Sequence, residues 1–106
     1  MNDDIRTWIT HMPKAEVHVH LGGTIGPTTL LELAERYGRL SDLPGDDPES
    51  IRTWMSFTNF REFIDKYLLI ASLLRTEDDF HTIVEGCGRD MSEQGILYRE
   101  ITVTPF

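Results

Sequence analysis

The chain is poor in the features that mark secreted and membrane-embedded proteins. It has a single cysteine among 106 residues, so no disulfide can form within it, and a reducing compartment is expected. No apolar run approaches the roughly 18 residues that a membrane-spanning helix needs. The first six residues are acidic and polar, without the apolar segment of a signal peptide behind them, which makes the cytoplasm the expected location.

Basic residues are scarce as well. Ten Lys and Arg stand against 18 Asp and Glu, which gives a formal net charge of −8. Such a surface repels a phosphate backbone, so nucleic acid is not an expected partner. The lone cysteine, Cys87, has no second cysteine at metal-binding spacing. It is predicted to be a buried small apolar residue rather than a reactive thiol.

Two segments alternate apolar and polar residues, a pattern typical of β-strands. The first covers residues 15–21, and the second covers residues 96–104 and is closed by Pro105. Each has one mainly apolar face, as expected where helices cover the outside of a sheet. The opposite, polar faces carry Glu16, His18 and His20 in the first strand and Tyr98, Glu100, Thr102 and Thr104 in the second.

Helical signals fill most of the chain between these strands. Helices are predicted over residues 27–37, 59–74 and 76–95, with a further short helix over residues 3–11. Residues 41–50 are rich in turn formers and are predicted to be a loop, and residues 51–57 show no clear period. A strand, several helices and a second strand form the pattern of two parallel strands in an α/β sheet.

The chemistry is concentrated in His18-Val19-His20, at the end of the first strand. Residues two apart on a strand point to the same side, so both imidazoles can reach one metal ion. Gly22 and Gly23 follow directly and allow a ligand to approach the backbone. The competing interpretation is a pair of core histidines satisfied by their neighbours. The position at the carboxyl end of a strand favours the metal site, because active sites of parallel barrels gather there.

The segment around these histidines resembles a known family. Residues 13–25 are similar to the first-strand signature of adenosine deaminases and their relatives, Pro-Lys-x-Glu-hydrophobic-His-x-His-Leu-x-Gly. Residues 27–34 resemble the helix that follows it, and residues 60–67 resemble the helix that lines the family's purine pocket. Residues 74–80 and 98–105 are similar to a later helix segment and to the second barrel strand. The resemblance covers nearly the whole chain.

The resemblance implies roles for individual residues. His18 and His20 match two zinc ligands of the family, and His20 also lies close to the substrate. Further substrate-binding positions are implied for Gly22, Phe60, Phe63, Ile64 and Tyr67, although plain helix packing would equally explain the four on the helix. Many relatives have an acidic residue at the position of Gly22, so the identity of the purine stays open. Glu16 and Glu100 are interpreted as interior structural carboxylates.

The implied reaction is the hydrolytic removal of a 6-amino group from a purine, with one zinc ion per complete site. The family's remaining metal ligands and catalytic residues have no match here, so no catalytic residue is assigned in this segment. A full (β/α)₈ barrel takes about 250 residues. Residues 1–106 are therefore expected to be the N-terminal part of one TIM-type barrel domain, with two strands and the helices between them, and to be inactive alone.

Two other functions remain open. One is a different metal-dependent hydrolase of the broader amidohydrolase group, which substrate profiling would distinguish. The other is a non-catalytic barrel module that a partner chain completes. A module that folds independently should unfold cooperatively on its own.

Overall fold

The computed structural model describes residues 2–103, which form two parallel strands joined by a helical connection. The strands are β1 (Lys14–His20) and β2 (Ile96–Thr102). The helices are α1 (Asp3–His11), α2 (Pro27–Arg36), α3 (Pro48–Met55), α4 (Phe60–Ala71) and α5 (Glu77–Gln94). Short 3₁₀ turns cover Leu21–Thr24 and Leu40–Asp42. The predicted order of a strand, helices and a parallel strand is confirmed; Thr104 and Pro105 lie outside the described residues.

Side-chain caps begin most of the helices. Asn2, Asp47 and Asn59 each accept a hydrogen bond from a backbone N–H in the first turn of α1, α3 and α4. Thr76 and Asp79 form a reciprocal capping box at the start of α5. Gly95 ends α5 in the left-handed conformation, with φ of 68°. These local signals are those that the sequence carries.

Helix α3 was not predicted from the sequence. Its residues 48–50 lie in the segment expected to be a loop, and its residues 51–55 lie in the segment that shows no clear period. Asp47 accepts hydrogen bonds from the Ser50 backbone N–H and hydroxyl, and Pro48 occupies the first helical turn. Both residues favour a helix start, but they stand among turn formers that hide the signal. Ile51 then inserts fully into the core. Burial of this side chain holds a helix that is too short to be stable alone.

The core lies between the helices and the 3₁₀ turn that follows β1. Its fully buried side chains are Leu30, Leu33, Ile51, Leu73 and Ile83. Cys87 joins this cluster, which confirms its prediction as a buried residue. Val84 of α5 stays outside this cluster, since more than half of its surface is exposed. Helix α4 contributes no fully buried residue: Leu69 and Ile70 pack against the core, while other residues of the helix line a cleft.

The register of the two strands contains two irregularities that sequence alternation does not reveal, one between Lys14 and Ala15 and one between Glu16 and Val19. Lys14 pairs with Ile96, and Val19 pairs with Ile101. Between these points Glu16 pairs with Arg99, so three steps along β1 lie opposite two along β2. An extra residue of this kind is a β-bulge, and it reverses the faces on its two sides. By this register the side chain of Glu16 points away from the face of His18 and His20, although Glu16 still borders the cleft that they line.

Glu16 instead belongs to a cluster with helix α5. Its carboxylate accepts a hydrogen bond of 2.8 Å from Arg99 Nη2, which also donates to Asp90 of α5 at 3.1 Å. On β2 the predicted alternation holds from Tyr98 to Glu100, because Tyr98 donates its hydroxyl to Glu100 while Arg99 turns to the helix side. It fails at the start of the strand, where a second register shift leaves Leu97 77% exposed and Ile96 buried. That hydrogen bond to Glu100 raises the pKa of Tyr98.

Candidate active-site cleft

A cleft opens at the carboxyl end of β1 and is walled on the far side by helix α4. It is lined from the strand by Glu16, His18, Val19 and His20, and from the helix by Phe63, Ile64 and Tyr67. The structure thus brings together five of the seven residues that the sequence marks for metal or substrate binding. Because β1 ends at His20 and turns at once into a 3₁₀ helix, the two imidazoles lie at the rim.

The two imidazole rings are spaced as two ligands of one metal ion would be. Their ring centroids are 5.3 Å apart, with the rings inclined at 70°. Two imidazoles bound tetrahedrally to one zinc ion at the usual Zn–N distance have ring centroids about 5 Å apart. Both side chains are exposed in the chain, as is needed for access by a metal ion. Among residues 2–103 no third His, Cys, Asp or Glu joins them to complete a ligand set.

Gly22 does not line the cleft; it lies next to the ring of Tyr67. A Cβ atom at Gly22 would stand 3.6 Å from Cε2 of Tyr67 and 3.7 Å from its hydroxyl oxygen. These are ordinary van der Waals contacts, so a side chain could fit there without displacing the ring. The phenol group of Tyr67 therefore lies beside the point at which an acidic side chain of position 22 would begin. Tyr67 is the polar group nearest to this point from helix α4.

Phe60 is not part of the cleft, although the sequence marks it for substrate binding. Three-quarters of its surface is exposed, and its ring centroid lies 6.1 Å from that of Phe63. Phe57, which the sequence did not mark, lies nearer to Phe63 at 5.1 Å and borders an adjoining cavity with Met55 and Gly22. Phe57 escapes a search by period because it belongs to the segment between two helices. Its position next to a marked aromatic residue is the only signal for it.

The other two histidines lie away from the cleft. His11 contacts the Thr7 carbonyl oxygen at 2.8 Å within α1, and His81 lies 3.8 Å from Glu77 on α5. Both are exposed on the surface of their helices. They provide matched control positions for experiments on His18 and His20.

Comparison with known proteins identifies the family of the chain. A family model described as adenosine deaminase matches residues 13–106. The chain belongs to the adenosine deaminase family. It is similar to the aminodeoxyfutalosine deaminase of Streptomyces coelicolor, with 41% identity over 97% of this chain and 26% of the relative. It is also similar to the adenine deaminase of Pseudomonas syringae pv. syringae, with 46% identity over 88% of this chain and 29% of the relative.

Solved structures of family members show the same arrangement of elements. The crystal structure of adenine deaminase from Arthrobacter aurescens matches with a TM-score of 0.69 and 34% identity, over 86% of this chain and 27% of that chain. The N6-methyl-AMP deaminase of Arabidopsis thaliana matches with a TM-score of 0.70 and 27% identity, over 94% and 28%. The chain thus spans between a quarter and a third of the length of these relatives. Within residues 2–103, no helix is both long and apolar enough to cross a membrane.

Proposed function

We propose that the chain is the first part of a zinc-dependent aminopurine deaminase barrel, in which β1 supplies two of the metal ligands. The observation that carries this proposal is the pair of imidazoles, 5.3 Å apart, at the rim of a cleft walled by Phe63, Ile64 and Tyr67. Its support is the family membership of residues 13–106 and the deaminase names of the relatives. The alternative of a different amidohydrolase lacks such support.

The residues of the chain would divide the work of the site. Neutral imidazole nitrogens of His18 and His20 are suitable zinc ligands, although histidine alone does not select zinc over neighbouring divalent ions. Bound zinc would supply hydroxide at neutral pH for attack on the ring carbon that bears the amino group. Phe63, Ile64 and Tyr67 offer an apolar wall that shields one side of a purine ring from water. The remaining ligands and the proton-transfer groups would come from later strands.

The rest of the barrel is a requirement of the proposal, whether it belongs to the same polypeptide or to another. Two strands cannot close a barrel, since a complete one of this class has eight. Among the described residues, β1 and β2 pair only with each other, so each has an edge available for a further strand. The proposed partners are therefore a small purine and the remaining strands. A cytoplasmic location stays a prediction.

The residue at position 22 bears on which purine the site would accept. Glycine provides no acceptor there, whereas the Tyr67 hydroxyl lies within reach of the same point. A neutral hydroxyl favours a neutral polar group of the substrate over a positively charged one. The relatives named adenine deaminase and aminodeoxyfutalosine deaminase define two substrate classes to compare in an assay of the complete enzyme.

Zinc binding by the 106-residue chain tests the metal site directly. We expect about one zinc ion per chain in isothermal titration calorimetry, bound weakly because only two protein ligands are available. His18→Ala and His20→Ala should each abolish this binding. His81→Ala is the matched control and should leave it unchanged.

The outcomes separate the proposed function from its competitors. Binding that survives His18→Ala, or an absence of binding in the unmodified chain, would contradict the metal site in β1. Ammonia release from an aminopurine should be absent with the 106-residue chain alone. Deamination by that chain alone would show that later strands are not needed.

A further inference from the structure

The side chain of Arg99 is buried between the two strands and helix α5, with only 4% of its surface exposed. Its Nη2 donates to Oε1 of Glu16 at 2.8 Å and to Oδ2 of Asp90 at 3.1 Å, and Nη1 donates to Sγ of Cys87 at 3.2 Å. Burial opposes the charged form, but the hydrogen bonds to Glu16, Cys87 and Asp90 more than offset this and raise the pKa of Arg99. Arg99 is therefore a fixed cation that joins β1 to β2 and α5.

This cluster lies where the strand register is irregular. Lys14 and its partner Ile96 are 82 residues apart, as are Val19 and Ile101, whereas Glu16 and Arg99 are 83 apart. The strands are thus one residue out of step at Glu16 and return to step before His20 pairs with Thr102. The extra residue of β1 falls between Glu16 and Val19, in the stretch that carries His18.

The irregularity decides the face on which each polar residue of β1 lies. In a regular strand Glu16 would share the face of His18 and His20. With the extra residue, the Glu16 carboxylate meets Arg99 beside α5, while Glu16 still borders the cleft that both imidazoles line. Without the ion pair, Glu16 could return to the register of its neighbours, opposite Tyr98. The backbone that carries His18 would shift with it.

We propose that Arg99 is a positioning residue for the metal site: its ion pair with Glu16 holds the bulge of β1 that sets His18 relative to His20. This inference rests on the proposed function of the two histidines as metal ligands. Arg99 touches neither histidine and acts through Glu16 and the backbone. Asp90 holds the same guanidinium to α5, and its side-chain hydrogen bonds among the described residues are to Arg99 and Gln94 and not to β1, so its role is to anchor and not to set the register.

The two carboxylates provide a matched pair of variants, because both accept from the same Nη2 atom. Glu16→Met removes the acceptor on β1 and keeps the length of the side chain. We expect it to weaken zinc binding by the chain roughly tenfold, as is common for groups that orient metal ligands. Asp90→Ala should leave zinc affinity within about twofold, since it removes only a partly exposed ion pair. Calorimetry gives both affinities, and thermal unfolding gives the stability of each variant.

A second pair of variants guards against loss of folding in Glu16→Met. Arg99→Lys keeps a cation that can reach Glu16, whereas Arg99→Met removes it and leaves two carboxylates that are 36–40% exposed and open to water. Zinc affinity should be restored by Lys relative to Met. In NMR spectra, the backbone contact between Glu16 and Arg99 should be lost in Glu16→Met and retained in Asp90→Ala.

The failures of the two proposals differ. If the unmodified chain binds zinc through both histidines, but Glu16→Met and Asp90→Ala lower affinity equally or not at all, Arg99 has no positioning role and the proposed function stands. If the unmodified chain binds no zinc, the metal site of β1 fails and the positioning role fails with it.

Discussion

At the scale of single residues, Asp79 shows how one buried carboxylate can organise several segments. It is fully buried and accepts hydrogen bonds from the Tyr37 hydroxyl, from Arg36 and from the backbone N–H groups of Arg75 and Thr76. Burial alone would raise the pKa of Asp79, but these donors outweigh it and hold the pKa below its usual range. The charged carboxylate thereby links α2 to the start of α5.

Replacement of this carboxylate should be costly and dependent on pH. Asp79→Asn is expected to lower the free energy of unfolding by about 3 kcal/mol at neutral pH, because Arg36 keeps its charge but loses its partner. Since the folded pKa lies below the unfolded value of about 3.9, the ionised group stabilises the fold above that pH and loses this effect as the pH falls. The gap between wild type and variant should narrow by about 2 kcal/mol near pH 2.5.

Urea denaturation at both pH values measures this gap, and Asp78→Asn is the control. Asp78 is exposed on the same helical turn, so its variant should differ from wild type by only about 0.5 kcal/mol. A gap for Asp79→Asn that stays constant between the two pH values would show that the carboxylate is not the source of the stability.

Single residues also show where prediction from sequence succeeds and where it stops. The closeness of His18 and His20 agrees with the alternation, although the irregular stretch between Glu16 and Val19 includes His18. The face of Glu16 does not follow, because the bulge depends on Arg99, which is 83 residues away in the chain. The roles of the cleft residues in binding metal or purine stay predictions. Local patterns therefore identify the site but not the contacts that shape it.

At the scale of elements, the ends of helices were predictable where one residue type dictates the local backbone geometry. The left-handed Gly95 that ends α5 and the capped starts of α4 and α5 follow from the sequence. Helix α3 was missed because its stability comes from the burial of Ile51 and not from a local period. The two strands were predicted to within two residues of their observed bounds, apart from the part of the second strand beyond the described residues.

Gly95, which follows the end of α5, and Gly88, inside α5, should change stability in opposite directions when each is replaced by alanine. Gly95 has φ of 68°, and an added Cβ would lie 3.0 Å from the Thr10 carbonyl oxygen. Gly95→Ala should therefore destabilise the fold by about 2 kcal/mol. Gly88 lies in the helix interior with open space around its Cα, so Gly88→Ala should stabilise it by about 0.5–1 kcal/mol. Thermal unfolding of both variants tests the pair, and equal shifts would contradict this account.

At the scale of the whole molecule, the sheet leaves apolar side chains uncovered. Val17, Leu97 and Val103 each expose more than half of their surface, and Ile101 exposes 40%. Sheet edges with exposed apolar side chains are prone to pair with other chains. In the proposed barrel, further strands and helices would cover this region. The architecture of the two strands follows from the sequence, whereas the closed barrel is an inference from family membership.

The 106-residue chain should consequently self-associate through its sheet. Leu97→Lys places a charge at the most exposed of these positions and should shift the chain toward monomer in sedimentation velocity. Leu68→Lys is the control, since Leu68 is similarly exposed but lies on α4. Should both variants have equal effects, or should wild type be monomeric at every concentration tested, the sheet would not be the surface of association.

The pairing of β1 with β2 also governs when the histidine site can appear during folding. The helices close through contacts between near neighbours in the chain, whereas Glu16 and Arg99 must meet across 83 residues. Long-range pairing of this kind is slow, because chain entropy is lost before the contacts form. During synthesis, His18 and His20 leave the ribosome before helices α2 to α5 and before the partner strand β2. The metal site is thus expected to become ordered only after β2 has been synthesised.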